Sequence, residues 1–389
     1  MSRDYYCQHK FRQIKVDFVN KTTYTCCAAY PENVNFEWVA NNPGQLFNSP
    51  VNVHERTQML NNERSEHCEQ NCWQVEDHNQ PSYRTQTNGQ ERVYTDVVTF
   101  PKSIDVGFHA DCNNSCIYCC REFSTAWMKD LISNGDYQFT NYNSTRFKQQ
   151  PNDQQYIRVG QKNSFEQDEF RILFDEVVSM SKTANDIILT GGEPLLNNAM
   201  YEFLDTLTAG TNMLIKISSG LTAPFNRIEK LVKVIKEKKL NVQMFLSFES
   251  VGDLAEFNRY GTVWALAEKK IHYLIDNGID ITFRGTLVNT NVFGFQDFYN
   301  RFCNHKMKVI IANQPSMLLN HILDDDTKEK IYKTLNVEDS LQTKILNSIE
   351  RSPTETEKIN CRELLIQFTQ RRNLNFDVLP NSFIKWLEL

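Results

Sequence analysis

The sequence lacks any apolar run that approaches the ~18 residues of a membrane-spanning helix. Its opening stretch, MSRDYYCQHKFRQ, also lacks the apolar centre of a signal peptide. Basic residues are not in excess, because 42 Lys and Arg stand against 48 Asp and Glu and give a net charge of −6. We therefore expect a cytoplasmic globular protein that has no membrane partner and for which nucleic acid is not the default partner.

The chain is long enough for more than one domain. With 389 residues, of which 40% are hydrophobic, it can bury a substantial core and form about two or three domains. Residues 1–100 are polar and rich in Asn, Gln and His, whereas the middle of the chain alternates helical patterns with short β-rich runs. We predict a small cysteine-rich domain at 1–100, an α/β core at 101–320 and a helical extension at 321–389.

The alternating patterns predict a parallel sheet, and a barrel or partial barrel is its natural closure. Ser164 and Gln167 form a capping box before a first helix, and Pro224 can open a second. The strands predicted to follow the helices are DIILT, VQMFLSF, IDITFRGTLVN and MKVIIA. The predicted apolar helix faces consist of Phe170, Leu173, Phe174, Val177 and Val178, then Ile228, Leu231, Val232 and Ile235, then Val263, Leu266, Ile271 and Leu274.

Cysteine is the residue with the most uneven distribution. Nine of the 11 cysteines precede residue 121. In a reducing cytosol clustered thiols more often bind metal than form disulfides, and an odd number also fits metal ligation better than full pairing. Cys303 and Cys361 stand alone near hydrophobic segments, and we interpret them as buried thiols that act as small apolar residues.

The densest cluster is DCNNSCIYCC, in which Cys112, Cys116 and Cys119 have the spacing C-x3-C-x2-C. Three thiolates on one tight loop can hold three corners of a cubane iron–sulfur cluster and leave one iron open to an exchangeable ligand. Cys120 is adjacent to Cys119 and cannot comfortably cap the same cubane. The alternative is a structural zinc site completed by a remote histidine.

The neighbouring motifs favour the iron–sulfur interpretation. CNNSCIYC resembles the signature loop of the radical S-adenosylmethionine (radical SAM) superfamily, and ILTGGEPLLN is similar to that family's GGEP motif. IKISSGL and FLSFESVGDLAEFNRYGTVW resemble its third and fourth strand segments, and the motifs run in the expected order from about residue 104 to 311. The resemblance implies a partial (β/α)6 TIM-like barrel, and it implies that Cys112, Cys116 and Cys119 are the catalytic cluster ligands.

The same resemblance implies a binding site for S-adenosylmethionine. Glu193 stands where the family binds the amino group of the methionine moiety, and Arg259 where it binds the carboxylate. A carboxylate and a cation are the groups that such a ligand requires. Taken singly, GGEP can be an ordinary turn and Arg259 a solvated charge. The cofactor-binding residues implied are Tyr118, Gly191, Gly192, Glu193, Ser219, Ser247 and Arg259.

A second group of cysteines precedes the core. EHCEQNCWQVEDHNQPSYR resembles the auxiliary-cluster module called SPASM or twitch, which holds a further four-iron cluster. The module usually follows the barrel, whereas this segment precedes it, and its close pair has three intervening residues instead of two. A four-thiolate zinc site is the alternative; His67 or His78 could replace a thiolate, although ordinary solvated histidines are the favoured interpretation. The implied ligands are Cys7, Cys68, Cys72 and either Cys26 or Cys27.

These features predict an enzyme that cleaves S-adenosylmethionine to a 5′-deoxyadenosyl radical, which abstracts a hydrogen atom from its substrate. By resemblance, the substrate expected is a peptide or protein, and the reaction is that of an oxidoreductase or maturase. A small molecule such as a sugar, nucleotide or amino acid derivative is the second possibility. A non-enzymatic iron–sulfur or zinc scaffold is the third. The enzyme would need an electron donor such as flavodoxin or ferredoxin.

Overall fold

The computed structural model describes residues 4–26, 28–88, 92–151, 153–154 and 168–389. Within these residues the chain forms two compact units, each assembled from separate segments. Unit 1 lies within Met1–His109, Lys162–Ile217 and Lys233–Val242. Unit 2 lies within Ala110–Gln161, Ser218–Val232 and Gln243–Leu389. The predicted capping box of Ser164 and Gln167 falls outside the described residues.

The described residues contain short strands and helices in alternation over most of the chain. The strands are β1 Gln13–Asp17, β2 Thr22–Tyr24, β3 Glu32–Asn33, β4 Ser103–Gly107, β5 Asp186–Thr190, β6 Leu214–Ser219, β7 Asn241–Leu246, β8 Asp280–Leu287 and β9 Lys306–Ile311.

The helices are α1 His9–Arg12, α2 Phe36–Asn41, α3 Pro50–Leu60, α4 Gln74–Asp77, α5 Tyr83–Thr87, α6 Thr125–Asn134, α7 Asp168–Ser181, α8 Asn198–Thr206, α9 Phe225–Lys238, α10 Gly252–Asn258, α11 Trp264–Asp276, α12 Phe295–Phe302, α13 Asp325–Thr334, α14 Asp339–Ile349, α15 Glu355–Arg372 and α16 Asn381–Leu387. None of these helices is long and apolar enough to cross a membrane.

Unit 1 contains a mixed sheet, in which β1 pairs with a parallel strand on one side and an antiparallel strand on the other. Its strands follow the order β3-β2-β1-β4-β5-β6. The pairs β1–β4, β4–β5 and β5–β6 are parallel, whereas β1–β2 and β2–β3 are antiparallel. The amino-terminal residues therefore extend the sheet of the α/β core, which the sequence did not predict.

One face of this sheet forms the core of unit 1. Helix α7 packs against β4, and its Leu173, Phe174 and Val177 are buried. The strand residues that face the core have no exposed surface; they are Ile104, Val106, Ile187, Leu189, Ile215 and Ile217. The alternation of buried and half-buried residues along β4, β5 and β6 follows from the two-residue period of a strand.

Unit 2 combines parallel strands with the helices of the carboxyl-terminal region. β7 pairs with β8 in parallel, and β8 pairs with β9 in the same direction. Phe283 of β8 packs its ring against Phe298 and Phe302 of α12, with ring centroids 5.2 and 4.7 Å apart. Phe368 of α15 lies 6.1 Å from Trp127 of α6, so the predicted extension shares a core with residues that follow the cysteine loop.

The predicted strands DIILT, VQMFLSF, IDITFRGTLVN and MKVIIA correspond to β5, β7, β8 and β9, and these predictions are confirmed. The apolar face of α9 is also confirmed, because its four predicted residues are buried. The face predicted for α11 is wrong in part: Ile271 and Leu274 are buried, but Val263 is 54% and Leu266 55% exposed. These two residues lie at the start of the helix, where the apolar pattern extends beyond the part that the described residues bury.

The interpretation of the two solitary cysteines is half right. Cys361 is fully buried in α15 and its sulfur lies 3.2 Å from the amide nitrogen of Asn289. Cys303 is exposed at the end of α12, so the prediction that it is buried is wrong. A cysteine next to a hydrophobic segment can still face solvent, because the segment does not determine the direction of a side chain at the end of the helix. None of the cysteines in the described residues forms a disulfide.

Candidate active site

The cysteine loop of unit 2 is held by backbone hydrogen bonds to the last residue of α10 and to the turn that follows it. The amide of Ser115 donates to the carbonyl of Tyr260, and that of Ile117 to the carbonyl of Asn258, each at 2.9 Å. Within the loop, the amide of Cys119 donates to the carbonyl of Cys116 at 2.9 Å. Cys116 is buried, whereas Cys112 and Cys119 are half-buried. The loop therefore has a fixed backbone and partly accessible thiols.

Three side chains from two further segments fix the same loop. Ser124 donates through its hydroxyl to the carbonyl of Asn114 at 2.6 Å, and the indole of Trp127 donates to the carbonyl of Cys116 at 2.8 Å. Arg146 donates to the carbonyls of Tyr118 and Cys119 at 3.1 and 3.3 Å. These bonds satisfy carbonyl groups that a tight irregular loop leaves without secondary-structure partners.

Helix α15 of the carboxyl-terminal region also reaches the loop. The Nε of Arg372, its last residue, donates to the hydroxyl of Ser115 at 3.2 Å. The guanidinium lies 4.8 Å above the ring of Trp127 and 4.0 Å above that of Phe368. The predicted carboxyl-terminal extension thus supports the loop directly.

Gly261 allows the close approach between the loop and the turn after α10. Its φ is +102°, a value that residues with a side chain rarely adopt. A Cβ atom here would lie 2.6 Å from the carbonyl oxygen of Asn113 and 2.9 Å from the Oδ1 of Asn114. Only glycine therefore fits between the two segments as they stand.

Tyr118, Glu249 and Arg259 form a buried polar network beside the loop. The hydroxyl of Tyr118 donates to Glu249 Oε1 at 2.8 Å, and Arg259 donates to the same hydroxyl. Arg259 Nη1 also lies 3.6 Å from Glu249 Oε2. Glu249 is fully buried and Arg259 is 7% exposed. Gly285 of β8 leaves room for this carboxylate, because a Cβ there would lie 2.6 Å from the Glu249 Cβ.

The electrostatics of this network centre on the guanidinium. Burial lowers the pKa of Arg259, but Tyr118, Cys116 and Glu249 raise it, and the net result is a pKa well above the usual value. Burial raises the pKa of Cys116, and the charge of Arg259 acts against that increase. Arg259 is therefore a fixed positive charge next to the thiols, where it would stabilise thiolates.

Several buried polar atoms of unit 2 near the ends of β6 and β7 have no hydrogen-bond partner in the described part of the chain. They are the hydroxyls of Ser218 and Ser250, Glu249 Oε2 and Arg259 Nε. Buried polar atoms are nearly always satisfied, so such a group indicates a place where a polar ligand completes the bonds. Together with the thiol donors, these atoms fit the four-iron cluster and S-adenosylmethionine that the motifs imply.

The two predicted serines lie at the ends of adjacent segments in unit 2. Ser219 ends β6 and is 1% exposed, and its hydroxyl accepts a bond from the amide of Leu221 at 2.9 Å. Its carbonyl accepts from the amide of Ser247 at 2.9 Å. Ser219 thus shapes the turn after its strand, and a role toward the ribose stays a prediction.

The GGEP turn belongs to unit 1 and follows β5. Gly191 has a φ of +112°, and a Cβ there would overlap the carbonyl oxygen of His109. The amide of Gly192 donates to that same oxygen at 2.8 Å. Glu193 is 2% exposed, and its Oε1 accepts from the amide of Leu195 at 3.2 Å. The carboxylate therefore caps its own turn, and its contact with the cofactor stays a prediction.

In unit 1 three of the predicted auxiliary ligands lie in one buried cluster. Cys7, Cys68 and Cys72 pack there with the rings of Phe11 and Trp73, and each thiol residue is at most 4% exposed. Burial raises the pKa of Cys68 to about 12 and raises that of Cys7 as well. Without a metal the thiols of Cys7 and Cys68 are therefore protonated, and a metal ion would deprotonate them.

The remaining predicted ligands are less well placed. Cys26 is buried, and its sulfur accepts from the amide of Ala28 at 3.4 Å. Cys27 lies outside the described residues. Among the residues that are described, no group of three or more Cys, His, Asp or Glu side chains is spaced to hold a single metal ion. A cubane differs from such a site because each of its thiolates binds a different iron.

Sequence reasoning missed Glu249, which is two residues after Ser247 in SFES. A lone acid after a strand carries no motif, and only the contact with Arg259 marks it. It also missed Glu55 in unit 1, because most of its partners are far away in sequence, and it assigned no role to Glu76. Glu76 stands in the segment WQVEDHNQPSYR, where its spacing to Arg84 was the available signal.

The comparison with protein families agrees with the motifs. Residues 107–300 match the family model described as the radical SAM superfamily. A solved structure described as native anSMEcpe with bound AdoMet, that is S-adenosylmethionine, is similar over 54% of this chain at 15% identity, with a TM-score of 0.35. The similar region spans 51% of that protein. No curated protein matches the chain.

Residues 107–300 therefore carry the sequence features of a radical SAM domain. Such a domain implies a four-iron cluster and S-adenosylmethionine, whose cleavage starts radical chemistry. It also implies a substrate and a reductant, and it leaves the reaction on the substrate unassigned.

Proposed function

We propose that the protein cleaves S-adenosylmethionine reductively at a cluster held by Cys112, Cys116 and Cys119, and that it uses the radical to abstract a hydrogen atom from a peptide or protein. The observation that carries the proposal is the cysteine loop inside the matched domain, packed beside the buried pair of Glu249 and Arg259. An isolated turn or a solvated arginine would not require a buried counter-charge.

Each residue of the site has a defined task under this proposal. When bound, the cluster and S-adenosylmethionine supply the electron transfer and the 5′-deoxyadenosyl radical. Arg259, held by Tyr118 and Glu249, binds the cofactor carboxylate, and Glu193 accepts from its ammonium group. The other positions carried over for cofactor binding are Gly191, Gly192, Ser219 and Ser247.

We further propose a partial (β/α)6 barrel for the radical SAM domain, on the order of its motifs along the chain. A second four-iron cluster in unit 1 would use Cys7, Cys68, Cys72 and one of Cys26 and Cys27. The burial of three of these thiols in one cluster supports this assignment. Such a cluster would serve structure or electron flow.

The substrate class rests on the auxiliary module, because enzymes with such modules often modify peptides or proteins. A small molecule such as a sugar, nucleotide or amino acid derivative is the second candidate. A protein that holds iron or zinc only to bind a partner is the third. Under the first two, a flavodoxin or ferredoxin in the cytoplasm would supply the electron.

The test is formation of 5′-deoxyadenosine by anaerobically reconstituted, reduced protein. We expect the native chain to form it, and the Cys112→Ala/Cys116→Ala/Cys119→Ala variant to form none, because the cluster loses all its protein ligands. Cys303→Ala is the matched control, since it removes an exposed thiol outside both groups, and it should keep full activity. Cleavage that survives the triple substitution would refute the assignment, and no cleavage by the native chain would favour the scaffold.

A further inference from the structure

Glu55 of α3 is the hub of a buried polar network in unit 1. It is 4% exposed, and its Oε1 accepts from the ammonium of Lys10 at 2.5 Å and from the hydroxyl of Ser65 at 2.6 Å. His67 Nδ1 lies 2.9 Å from the same oxygen, and the hydroxyl of Thr25 donates to Oε2 at 3.4 Å. Glu55 thus contacts four side chains that come from three separate segments.

Each of those segments carries one of the proposed auxiliary ligands. The amide of Lys10 donates to the carbonyl of Cys7 at 3.2 Å, so the two belong to one turn. Thr25 directly precedes Cys26. His67 directly precedes Cys68, whose amide donates to the carbonyl of Ser65 at 3.1 Å. The carboxylate of Glu55 therefore connects the segments of Cys7, Cys26 and Cys68.

A second buried acid, Glu76, connects the fourth segment. It lies four residues after Cys72, in α4, which continues the π-helical turn Glu69–Trp73. Arg84 forms two bonds to Glu76, at 2.6 and 3.0 Å, and donates to the carbonyl of Tyr6 at 2.8 Å. Because Tyr6 precedes Cys7, this ion pair ties the segment of Cys72 to that of Cys7.

His67 has no ring nitrogen left for a metal in this arrangement. Its Nδ1 faces Glu55, and its Nε2 lies 3.3 Å from Glu32 Oε2. Burial alone would raise the pKa of Glu55, but His67 and Lys10 lower it to about 2, so the carboxylate is charged. His67 therefore serves the polar network rather than replacing a thiolate.

We propose that Glu55 and Glu76 are positioning residues that hold the four cysteine-bearing segments in register for the auxiliary cluster. Burying charged groups is costly unless they are paired, so a network of this kind needs a reason other than stability alone. The network could hold the cysteines of distant segments in place before the metal binds. Groups that orient metal ligands in this way strongly affect how tightly the metal is retained. This inference rests on the proposed second cluster.

The experiment measures iron loss to a chelator from the full chain. The parent is the Cys112→Ala/Cys116→Ala/Cys119→Ala variant, in which the auxiliary cluster is isolated. Glu55→Gln and Glu76→Gln keep the side-chain size, and each should speed iron release at least about tenfold, in line with the effect of lost outer contacts at metal sites. Asp77→Asn is the matched control: it follows Glu76 in α4, pairs with Arg64 at the surface at 2.6 Å, and should not change the rate.

A second variant separates positioning from fold stability. Glu55→Gln alone leaves the ammonium of Lys10 without its buried counter-charge and should lower the thermal stability of the metal-free protein. Glu55→Gln/Lys10→Met removes both charges, so the thermal stability should return to that of the parent. Iron release should stay fast, because the bonds to Thr25, Ser65 and His67 remain altered, and the electron paramagnetic resonance signal of the reduced cluster should change. Release and a signal like those of the parent would overturn the inference while leaving the second cluster in place. A parent that holds no iron–sulfur cluster would overturn both proposals.

Discussion

Arg259 shows how a single residue can indicate a site. A guanidinium that is 7% exposed would be strongly destabilising without a counter-charge, and Glu249 supplies one at 3.6 Å. The Nε of Arg259 still has no hydrogen-bond partner among the described residues, nor has Glu249 Oε2. The pair is therefore incompletely bonded, and the free Nε of Arg259 is a donor that a ligand with its own carboxylate could use.

At this scale the first prediction concerns cofactor affinity. Arg259→Leu removes the proposed partner of the carboxylate, and Glu193→Gln removes the charge proposed to bind the ammonium group. A charge-assisted hydrogen bond contributes about 1.5–3 kcal/mol, so each change should weaken binding of S-adenosylmethionine about ten- to a hundredfold. Equilibrium binding to the reconstituted variants measures this.

Iron content controls for misfolding in that experiment, and Arg362→Leu controls for loss of charge. Arg362 lies on α15 and pairs with Glu388 at the surface, 2.7 Å away, so its removal should leave the affinity unchanged. If both Arg259→Leu and Glu193→Gln bind as tightly as the native chain, the motif has been assigned to residues that only shape the backbone.

At the scale of elements, the cysteine loop owes its shape to contacts that no sequence pattern predicts. Tyr118 and Arg259 could be found from motifs, and the strands from their β-rich runs. The approach of Gly261 to Asn113, and of Arg372 to Ser115, joins residues more than a hundred positions apart. Such pairs depend on how the elements pack, and periodicity along the chain carries no information on packing.

The second prediction tests whether the loop must keep this shape. Gly261→Ala would place a methyl group 2.6 Å from the carbonyl oxygen of Asn113, so the loop must move. We expect reconstituted Gly261→Ala to lose about four irons, those of the three-cysteine cluster. Iron analysis against protein concentration measures the effect.

Gly278→Ala is the matched control for backbone strain. Gly278 has a φ of +75°, so alanine is strained there too, but a Cβ would meet no atom within 4 Å. This variant should bind the full complement of iron. An equal loss of iron in both variants would mean that general destabilisation, rather than the position of the loop, accounts for the effect.

At the scale of the whole molecule, the two groups of cysteines differ in their burial and in the side chains around them. The thiols of unit 2 lie on an irregular loop beside a fixed positive charge, and two of the three are half-buried. The thiols of unit 1 are buried among aromatic rings and are tied together by two acids. Exposure suits a cluster that exchanges a ligand, and burial suits one that does not.

The sequence predicted the α/β core because its motifs and strand patterns are local. It did not predict that β1 pairs in parallel with β4, because a five-residue strand in a polar region has too little pattern to stand out. It also placed two apolar residues of α11 inwards that are exposed. Local signals therefore predicted the helices and strands of the core, whereas long-range packing determines which of them lie side by side.

The most direct test of the account is the electron paramagnetic resonance spectrum of the reduced protein before and after S-adenosylmethionine is added. The account predicts that the cofactor changes the cluster signal, since it binds the iron that lacks a protein ligand. The change should persist in Cys68→Ala/Cys72→Ala and disappear in Cys112→Ala/Cys116→Ala/Cys119→Ala. A spectrum that does not respond in the native chain, or a response that survives the triple substitution, would contradict it.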